Sequence, residues 1–223
     1  MRASTQPDST AIVLLGGGIV DAARVGALPT DAMVIAADSG AEQAAALGLD
    51  IDVVVGDMDS VDAVMLARLE SSGTHVERHS TDKNETDAEL ALRVATIRGA
   101  THVVVVGDGA GRLDHQLALI AVLFSDALRG VRIEARLGAA RAYPLHGGES
   151  VTVACDKDSI VGLVPFGGDA HGVTTRGLKW ALHAETLAVD ASRGVSNRAT
   201  EDRFDVSLEN GRLLVTVDAG DVR

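Results

Sequence analysis

Short apolar runs alternate with segments of helical period along the first part of the chain. Residues 11–15, 33–37, 52–55 and 102–106 are almost unbroken in Val, Ile, Leu and Ala, as strands covered on both faces are. Residues 41–47, 61–69, 86–98 and 113–128 repeat apolar side chains every three or four positions and predict helices. Residues 131–137 predict one further strand. Strands alternating with helices predict an α/β domain over 11–139, a Rossmann-like parallel sheet with helices on both faces. The pattern changes near residue 140. Helical period stops, and β-like runs at 141–145, 150–154, 159–164, 182–189, 204–208 and 213–217 are punctuated by Gly147-Gly148, Gly167-Gly168 and Asn210-Gly211. They predict a small C-terminal β-sandwich or barrel domain over 140–223. Asn-Gly is the pair that a tight hairpin favours, so 204–208 and 213–217 are expected to be hairpin partners. Residues 1–10 are polar, lack the apolar stretch of a signal peptide and read as a flexible tail.

The hydrophobic share of the 223 residues is 46%, enough for a real core, but aromatics are only 2%, so Val, Leu, Ile and Ala must fill it. The lone Trp180 stands out for that reason. Twenty basic against 32 acidic side chains give a formal charge of −12. Such a surface repels nucleic acid and anionic membranes, which argues against both as partners. It leaves room for a nucleotide, because a bound divalent cation inverts the local field. No apolar run approaches the ~18 residues of a membrane span. The single Cys155 excludes an internal disulfide framework and, beside Val151, Val153 and Ala154, reads as a buried, inert thiol. A cytoplasmic location is the default expectation.

In parallel sheets ligands bind beyond the carboxyl ends of the strands. Four predicted strands end in Gly16-Gly17-Gly18, Asp38-Ser39-Gly40, Gly56-Asp57-Met58-Asp59-Ser60 and Gly107-Asp108-Gly109, so one edge collects glycine and acid. Asp57 and Asp59 are two residues apart, and in extended backbone such side chains point the same way. Paired carboxylates can hold Mg²⁺, which takes hard oxygen ligands and keeps places for water and phosphate. Capping of the next helix by Asp59 or Ser60 is the competing structural reading. Asp82-Lys83-Asn84-Glu85-Thr86-Asp87 opens a helix. Thr86 suits its N-cap and Asp87 its first turn, and the same density of charge suits phosphate and metal. Gly107-Asp108-Gly109-Ala110-Gly111-Arg112-Leu113-Asp114-His115 joins a backbone that can approach a ligand to an Arg that can fork onto phosphate, without the Lys-Ser/Thr pair of a P-loop. Gly16-Gly17-Gly18 reads as a flexible loop. His75, His79, His102, His146, His171 and His183 show no metal-like spacing.

In this order the segments resemble the thiamine pyrophosphokinase family. Its G-D-x-D-S loop appears as Gly56-Asp57-Met58-Asp59-Ser60, its K-D-x-T-D segment as Lys83-Asn84-Glu85-Thr86-Asp87, and its A-G-R-x-D-Q or G-G-R-x-D-H segment as Ala110-Gly111-Arg112-Leu113-Asp114-His115. Its G-L-K-W and S-N appear as Gly177-Leu178-Lys179-Trp180 and Ser196-Asn197, and Ala37-Asp38-Ser39-Gly40-Ala41 is similar to its A-D-G-G-A loop. The resemblance covers residues 11–218. Asn84 in place of a common Asp, Ser39 in place of Gly, and Arg198 where an acid is frequent depart from it.

The resemblance implies transfer of the diphosphoryl group of ATP to the hydroxyethyl group of thiamine, giving thiamine diphosphate and AMP. It implies a homodimer, with each active site between the α/β domain of one subunit and the β domain of the other. Asp57, Asp59 and Asp87 would be catalytic and hold Mg²⁺. Asp38, Ser60, Thr86, Arg112, Asp114 and His115 would bind the nucleotide. Lys83, Trp180, Ser196 and Asn197 would border the thiamine, whose cationic ring suits a Trp face in an acidic site. Read without the family, the residues also admit a metal-dependent glycosyltransferase using Asp57 and Asp59 on a sugar nucleotide, or a non-catalytic sensor of thiamine or a nucleotide.

Overall fold

The computed structural model describes residues 9–218. The expected tail lies outside the described residues over 1–8. Thr10 already belongs to the first strand, and the Ser9 carbonyl accepts from the Thr101 and His102 N–H groups at 2.8 and 3.2 Å. The chain divides between Gly138 and Ala139 into two compact units.

In the first unit, β1 (Thr10–Leu14), β2 (Met33–Ala37), β3 (Val53–Gly56), β4 (His75–Arg78), β5 (His102–Gly107) and β6 (Arg132–Leu137) run parallel in the order β6-β5-β1-β2-β3-β4. The connections hold α1 (Ala22–Val25), α2 (Ala41–Leu47), α3 (Ala63–Ser72), α4 (Asp87–Ile97) and α5 (Leu113–Leu123). The helix expected over 113–128 stops at Leu123, and Asp126–Leu128 forms a separate 3-10 turn. Strand alternation sends Ile12, Leu14, Val34, Ala36, Val54, Val104 and Val106 into one cluster with Val25, Ala41 and Ala44, against which Met65 and Leu69 of α3 also lean. The intervening Ala11, Val13, Ile35, Val53, Val55, Val103 and Val105 are all 0% exposed, so the other face is covered as well. There α4 crosses β1, β2 and β3, with Leu90, Ala91, Val94 and Ala95 buried. Each buried Val or Leu contributes about 1.5–3 kcal/mol, so two such faces form a stiff platform for the loops at its edge. The strand order reverses at β1. The chain advances from β1 to β4, then returns through α4 to lay β5 on the other side of β1. That reversal opens a crevice at the carboxyl ends of β1 and β5.

In the second unit, β7 (Ala140–His146), β8 (Ser150–Ala154), β9 (Ile160–Pro165), β10 (Ala170–Arg176), β11 (Glu185–Leu187), β12 (Asn197–Arg198), β13 (Arg203–Ser207) and β14 (Arg212–Asp218) form two antiparallel layers, β12-β9-β14-β7 and β11-β10-β13-β8. Leu145, Val161, Leu163, Leu213 and Val215 of one layer share a core with Val153, Val173, Leu187, Phe204 and Val206 of the other, which makes this unit a β-sandwich. The expected hairpin is not there. Asn210-Gly211 does turn the chain, but β13 pairs with β8 and β10 while β14 pairs with β7 and β9, so the turn passes the chain from one layer to the other. Gly211, at φ 99°, is required by closeness: a Cβ there would strike the Asp169 carbonyl. Cys155 is half-buried rather than buried, and burial, with Asp156 and Asp202 nearby, pushes its thiol pKa up and keeps it protonated. Among the described residues no helix is long and apolar enough to cross a membrane.

Candidate active site

Strand register delivers the acids. Ala37 is paired with Val55, so Asp38 leaves β2 beside Gly56 and Asp57 at the end of β3. A Cβ on Gly56 would meet Asp38 Cβ and Asp87 Oδ1, each at 3.0 Å, so only glycine lets these carboxylates come together. Met58 adopts φ 64°, and the backbone between Asp57 and Asp59 is therefore a turn and not the extended chain that their spacing suggested. The two carboxylates converge nonetheless, with the Asp59 N–H donating to Asp57 Oδ1 at 3.3 Å. Oxygen atoms of Asp38, Asp57 and Asp59 all lie within 4.8 Å of one another, a group able to hold a metal ion. Among the described residues no histidine or cysteine joins such a group. The capping alternative fails. Asp62 is the cap of α3, accepting from the Val64 and Met65 N–H groups at 3.0 Å each, while Ser60 Oγ donates to Asp59 Oδ1 at 2.8 Å.

Asp38 is 7% exposed, at φ 48°, and its Oδ1 is buried without a hydrogen-bond partner. Burial raises its pKa, Asp87 and Asp57 add to the rise, and the Ser39 backbone and Ser60 hydroxyl partly oppose it. A buried anionic oxygen without a donor is costly. A divalent cation would supply the missing partner and turn repulsion among three carboxylates into attraction. The orphaned oxygen and the all-oxygen donor set fit Mg²⁺.

Lys83 Nζ lies 2.8 Å from Asp57 Oδ2 and 3.1 Å from Asp87 Oδ1. Burial works against its charge, but the two carboxylates outweigh it and raise its pKa, and its bond to Asp57 in turn holds that acid low. Asp87 thus joins the site through Lys83, whereas Asp38, expected at the nucleotide, stands in the converging trio. Thr86 caps α4 as predicted, its Oγ1 accepting from the Glu89 N–H at 3.2 Å. A cleft of about 490 Å³ beside these acids is lined by Asp38, Ser60, Lys83, Thr86, Arg112 and His115, among others. Asp114 is not in that lining. Arg112 Nε and Nη2 fork onto its carboxylate at 3.1 and 2.6 Å, which lowers the Asp114 pKa, and both side chains are exposed.

In the second unit Trp180 is 54% exposed, with Lys179 Nζ 4.8 Å from its ring centroid. Asn197, expected to contact the vitamin, is buried and uses both ends of its carboxamide elsewhere. Its Oδ1 accepts from the Trp180 and Arg198 N–H groups at 3.1 and 2.8 Å, and Nδ2 donates to the Trp180 carbonyl at 2.8 Å. Asn197 therefore sets the Trp180 backbone. Ser196 beside it is exposed, at φ 61°. Gln43, which the sequence did not single out, and Asp108, which it named only within the glycine-rich strand end, also act beside the cleft. Gln43 and Asp108 bond the loop of Gly16-Gly17-Gly18, which is consequently tethered, not the free loop expected. Nothing in the Ala-rich run around Gln43 marks it.

A family model described as thiamin pyrophosphokinase, catalytic domain, matches residues 27–135, and one described as thiamin pyrophosphokinase, vitamin B1 binding domain, matches residues 150–213. Thiamine pyrophosphokinase of Bacillus subtilis is 24% identical over 160 residues, which are 72% of this chain and 75% of that protein. Thiamine pyrophosphokinase 1 of Arabidopsis thaliana is 26% identical over 169 residues, 73% of this chain and 63% of that protein. The crystal structure of the Bacillus subtilis thiamine pyrophosphokinase superposes with a TM-score of 0.82 at 22% identity, covering 95% of this chain and 99% of that one. Yeast thiamin pyrophosphokinase reaches 0.74 at 14% identity, covering 97% and 88%. The structural likenesses establish the same fold. With a catalytic-domain match on the first unit and a vitamin B1 binding match on the second, the chain belongs to the thiamine pyrophosphokinase family.

Proposed function

We propose that this chain performs its family's reaction, diphosphoryl transfer from ATP to thiamine with release of AMP, at the acidic cluster of the first unit. The observation that carries this is the buried, unpartnered Asp38 oxygen among three converging carboxylates, beside a cleft that also holds Arg112. Asp38, Asp57 and Asp59 would hold Mg²⁺, with Asp87 bordering it through Lys83. When bound there, the ion would supply positive charge to the ATP phosphates. Lys83 keeps Asp57 ionised and holds Asp87 in place beside it. Arg112 exchanges the exposed Asp114 carboxylate for phosphate oxygens, which its fork matches equally well. The N-terminal turn of α4, at Thr86 and Asp87, offers backbone N–H groups toward the cleft. Asp59, the exposed acid of the three, accepts the hydroxyl proton as the thiamine oxygen attacks the β-phosphorus in line with the departing AMP. Trp180, set by Asn197, presents its ring to the vitamin, with Ser196 adjoining. The setting is the cytoplasm, where the free Cys155 stays reduced.

Purified protein given thiamine, ATP and Mg²⁺ is expected to form AMP and thiamine diphosphate in equal amounts, to stop on chelation, and to resume when Mg²⁺ is restored. ADP with thiamine monophosphate would replace the reaction while keeping the site. Release of UDP or GDP from a sugar nucleotide would bring back the glycosyltransferase reading, and saturable binding without turnover the sensor.

A homodimer is part of the same proposal. Leu113 and Leu117, one turn apart on α5, are 68% and 58% exposed, an apolar stripe that supports a second copy as its cover. Light scattering is expected to give twice the 23.0 kDa chain mass. Leu117→Glu should yield a monomer with turnover reduced at least about tenfold, as a site shared between subunits requires. A fully active wild-type monomer would remove the dimer from the proposal.

A further inference from the structure

The loop that follows β1 is held from two sides. Gln43 of α2 is 1% exposed, in a helix whose other buried residues are Ala41 and Ala44. Its Oε1 accepts from the Val20 N–H and its Nε2 donates to the Gly18 carbonyl, both at 2.9 Å. From the end of β5, Asp108 Oδ2 accepts from the Gly18 N–H at 2.8 Å and Oδ1 from the Ala110 N–H at 3.1 Å. Gly18 thus has its N–H and its carbonyl committed to two side chains from different elements. A Cβ on Gly17 or Gly18 would come within 3.0 or 2.7 Å of the Asp108 carboxylate, which explains why the loop is glycine there. Gly16 and Gly17 line the cleft from this side, and Ala110, Gly111 and Arg112 line it from the other. Asp108 ties the two linings together.

A buried carboxamide is costly in an apolar setting unless bonded, and Gln43 is 1% exposed in a helix whose other buried residues, Ala41 and Ala44, are apolar. Gln43 is also chemically specific. One end must accept from Val20 and the other must donate to Gly18, which an amide does and a carboxylate does not. We propose that Gln43 and Asp108 are positioning residues that, by fixing the Gly18 peptide, set the spacing of the two cleft linings and with it the KM for ATP. The inference rests on the reading that this cleft takes ATP. Neither residue belongs to the acidic cluster, so neither enters the chemistry.

Gln43→Leu, Gln43→Glu and Asp108→Ala are to be compared with wild type by amide hydrogen exchange over residues 16–20 and by kinetics with ATP and thiamine varied separately. Loss of one or two hydrogen bonds should speed exchange about tenfold and raise KM for ATP about five- to tenfold. The kcat and the KM for thiamine should stay within about twofold, since the removed contact acts on ATP binding alone. Gln43→Glu, nearly isosteric, should be as impaired as Gln43→Leu because it lacks the donor. Faster exchange with unchanged KM for ATP would overturn the positioning role, and unchanged exchange would overturn the clamp. A fall in kcat alone, with KM unchanged, would show a merely structural role. If Gln43→Leu does not fold, Asp108→Ala, at a half-exposed position, carries the same comparison. Wild-type protein without ATP turnover would overturn the reading of the cleft and this inference with it, a case told apart because the exchange comparison needs no ATP.

Discussion

Asp38→Asn is expected to melt at a higher temperature than wild type while losing turnover by at least about a thousandfold. Both effects come from one carboxylate. Asp38 is buried, its Oδ1 has no donor, and Asp57 and Asp87 stand close enough to raise its pKa further. An amide removes the charge, supplies a donor toward its acidic neighbours, and tolerates the left-handed backbone at φ 48° at least as well. The gain should be on the order of 1 kcal/mol without metal. Its pH dependence has a definite sign. A carboxyl with a folded pKa above the ordinary 3.8 binds more protons folded than unfolded, so wild-type stability falls as pH rises through that window. The advantage of the amide should therefore shrink as pH is lowered toward 3.8 and grow above it. Adding Mg²⁺ should raise the wild-type melting temperature, by linkage, and leave that of the variant nearly unmoved. Asp59→Asn is the control. At that exposed position the loss of turnover should be of the same order, without the gain in stability, and thiamine should still quench the lone Trp180. Near-wild-type turnover in Asp38→Asn would take Asp38 out of the metal site.

Gly40→Ala should be the most damaging methyl group in the first unit, at a cost of at least about 3 kcal/mol. The added Cβ would fall inside contact distance of the Leu14 carbonyl group and of the Leu15 carbonyl carbon. These are backbone atoms at the end of β1, which is pinned between β2 and β5 and cannot retreat. The clash would push apart the β1 and β2 loops that shape the cleft. A thermal midpoint lower by roughly 6–12 °C is expected. Gly73→Ala is the comparison, because its Cβ meets nothing within 4 Å and only the φ of 92° opposes it. That change should cost about 1 kcal/mol. Equal melting of the two variants would show that the Asp38–Gly40 turn can lift away from β1.

The strands β1, β2, β3 and β5 were legible because each is an apolar run buried on both faces, and burial is what such runs report, whereas β6 alternates, with Ile133 and Ala135 buried between Arg132, Glu134 and Arg136. The edge strand β4 was not legible, because polar His75 and the charged Glu77 and Arg78 interrupt it, as side chains that protect an exposed edge do. In the sandwich, β10 was hidden by Gly172 at φ 67°, where its register with β11 shifts, and the run at 182–189 forms a strand only over Glu185–Leu187. Asn210-Gly211 signals a turn but carries no record of which layer receives the next strand. The site shows the same division. Local motifs named Asp57, Lys83, Thr86 and Arg112. The entry of Asp38 into the metal trio depends on β2–β3 register and on the backbone of Met58, and neither is written in local spacing. Gln43 was invisible because its partners lie 23 and 25 residues away.

The place of β14 between β7 and β9 also bears on how the protein is made. On the ribosome, the first sheet has all its strands once Leu137 has emerged. The layer holding Leu145, Val161 and Leu163 must wait for Arg212–Asp218, the strand that joins its two halves. Until then β7 and β9 present open edges with apolar faces, the condition in which nascent chains associate wrongly. A stop codon just before Arg212 would therefore yield a chain with every carboxylate of the acidic cluster in place and a second unit prone to aggregate.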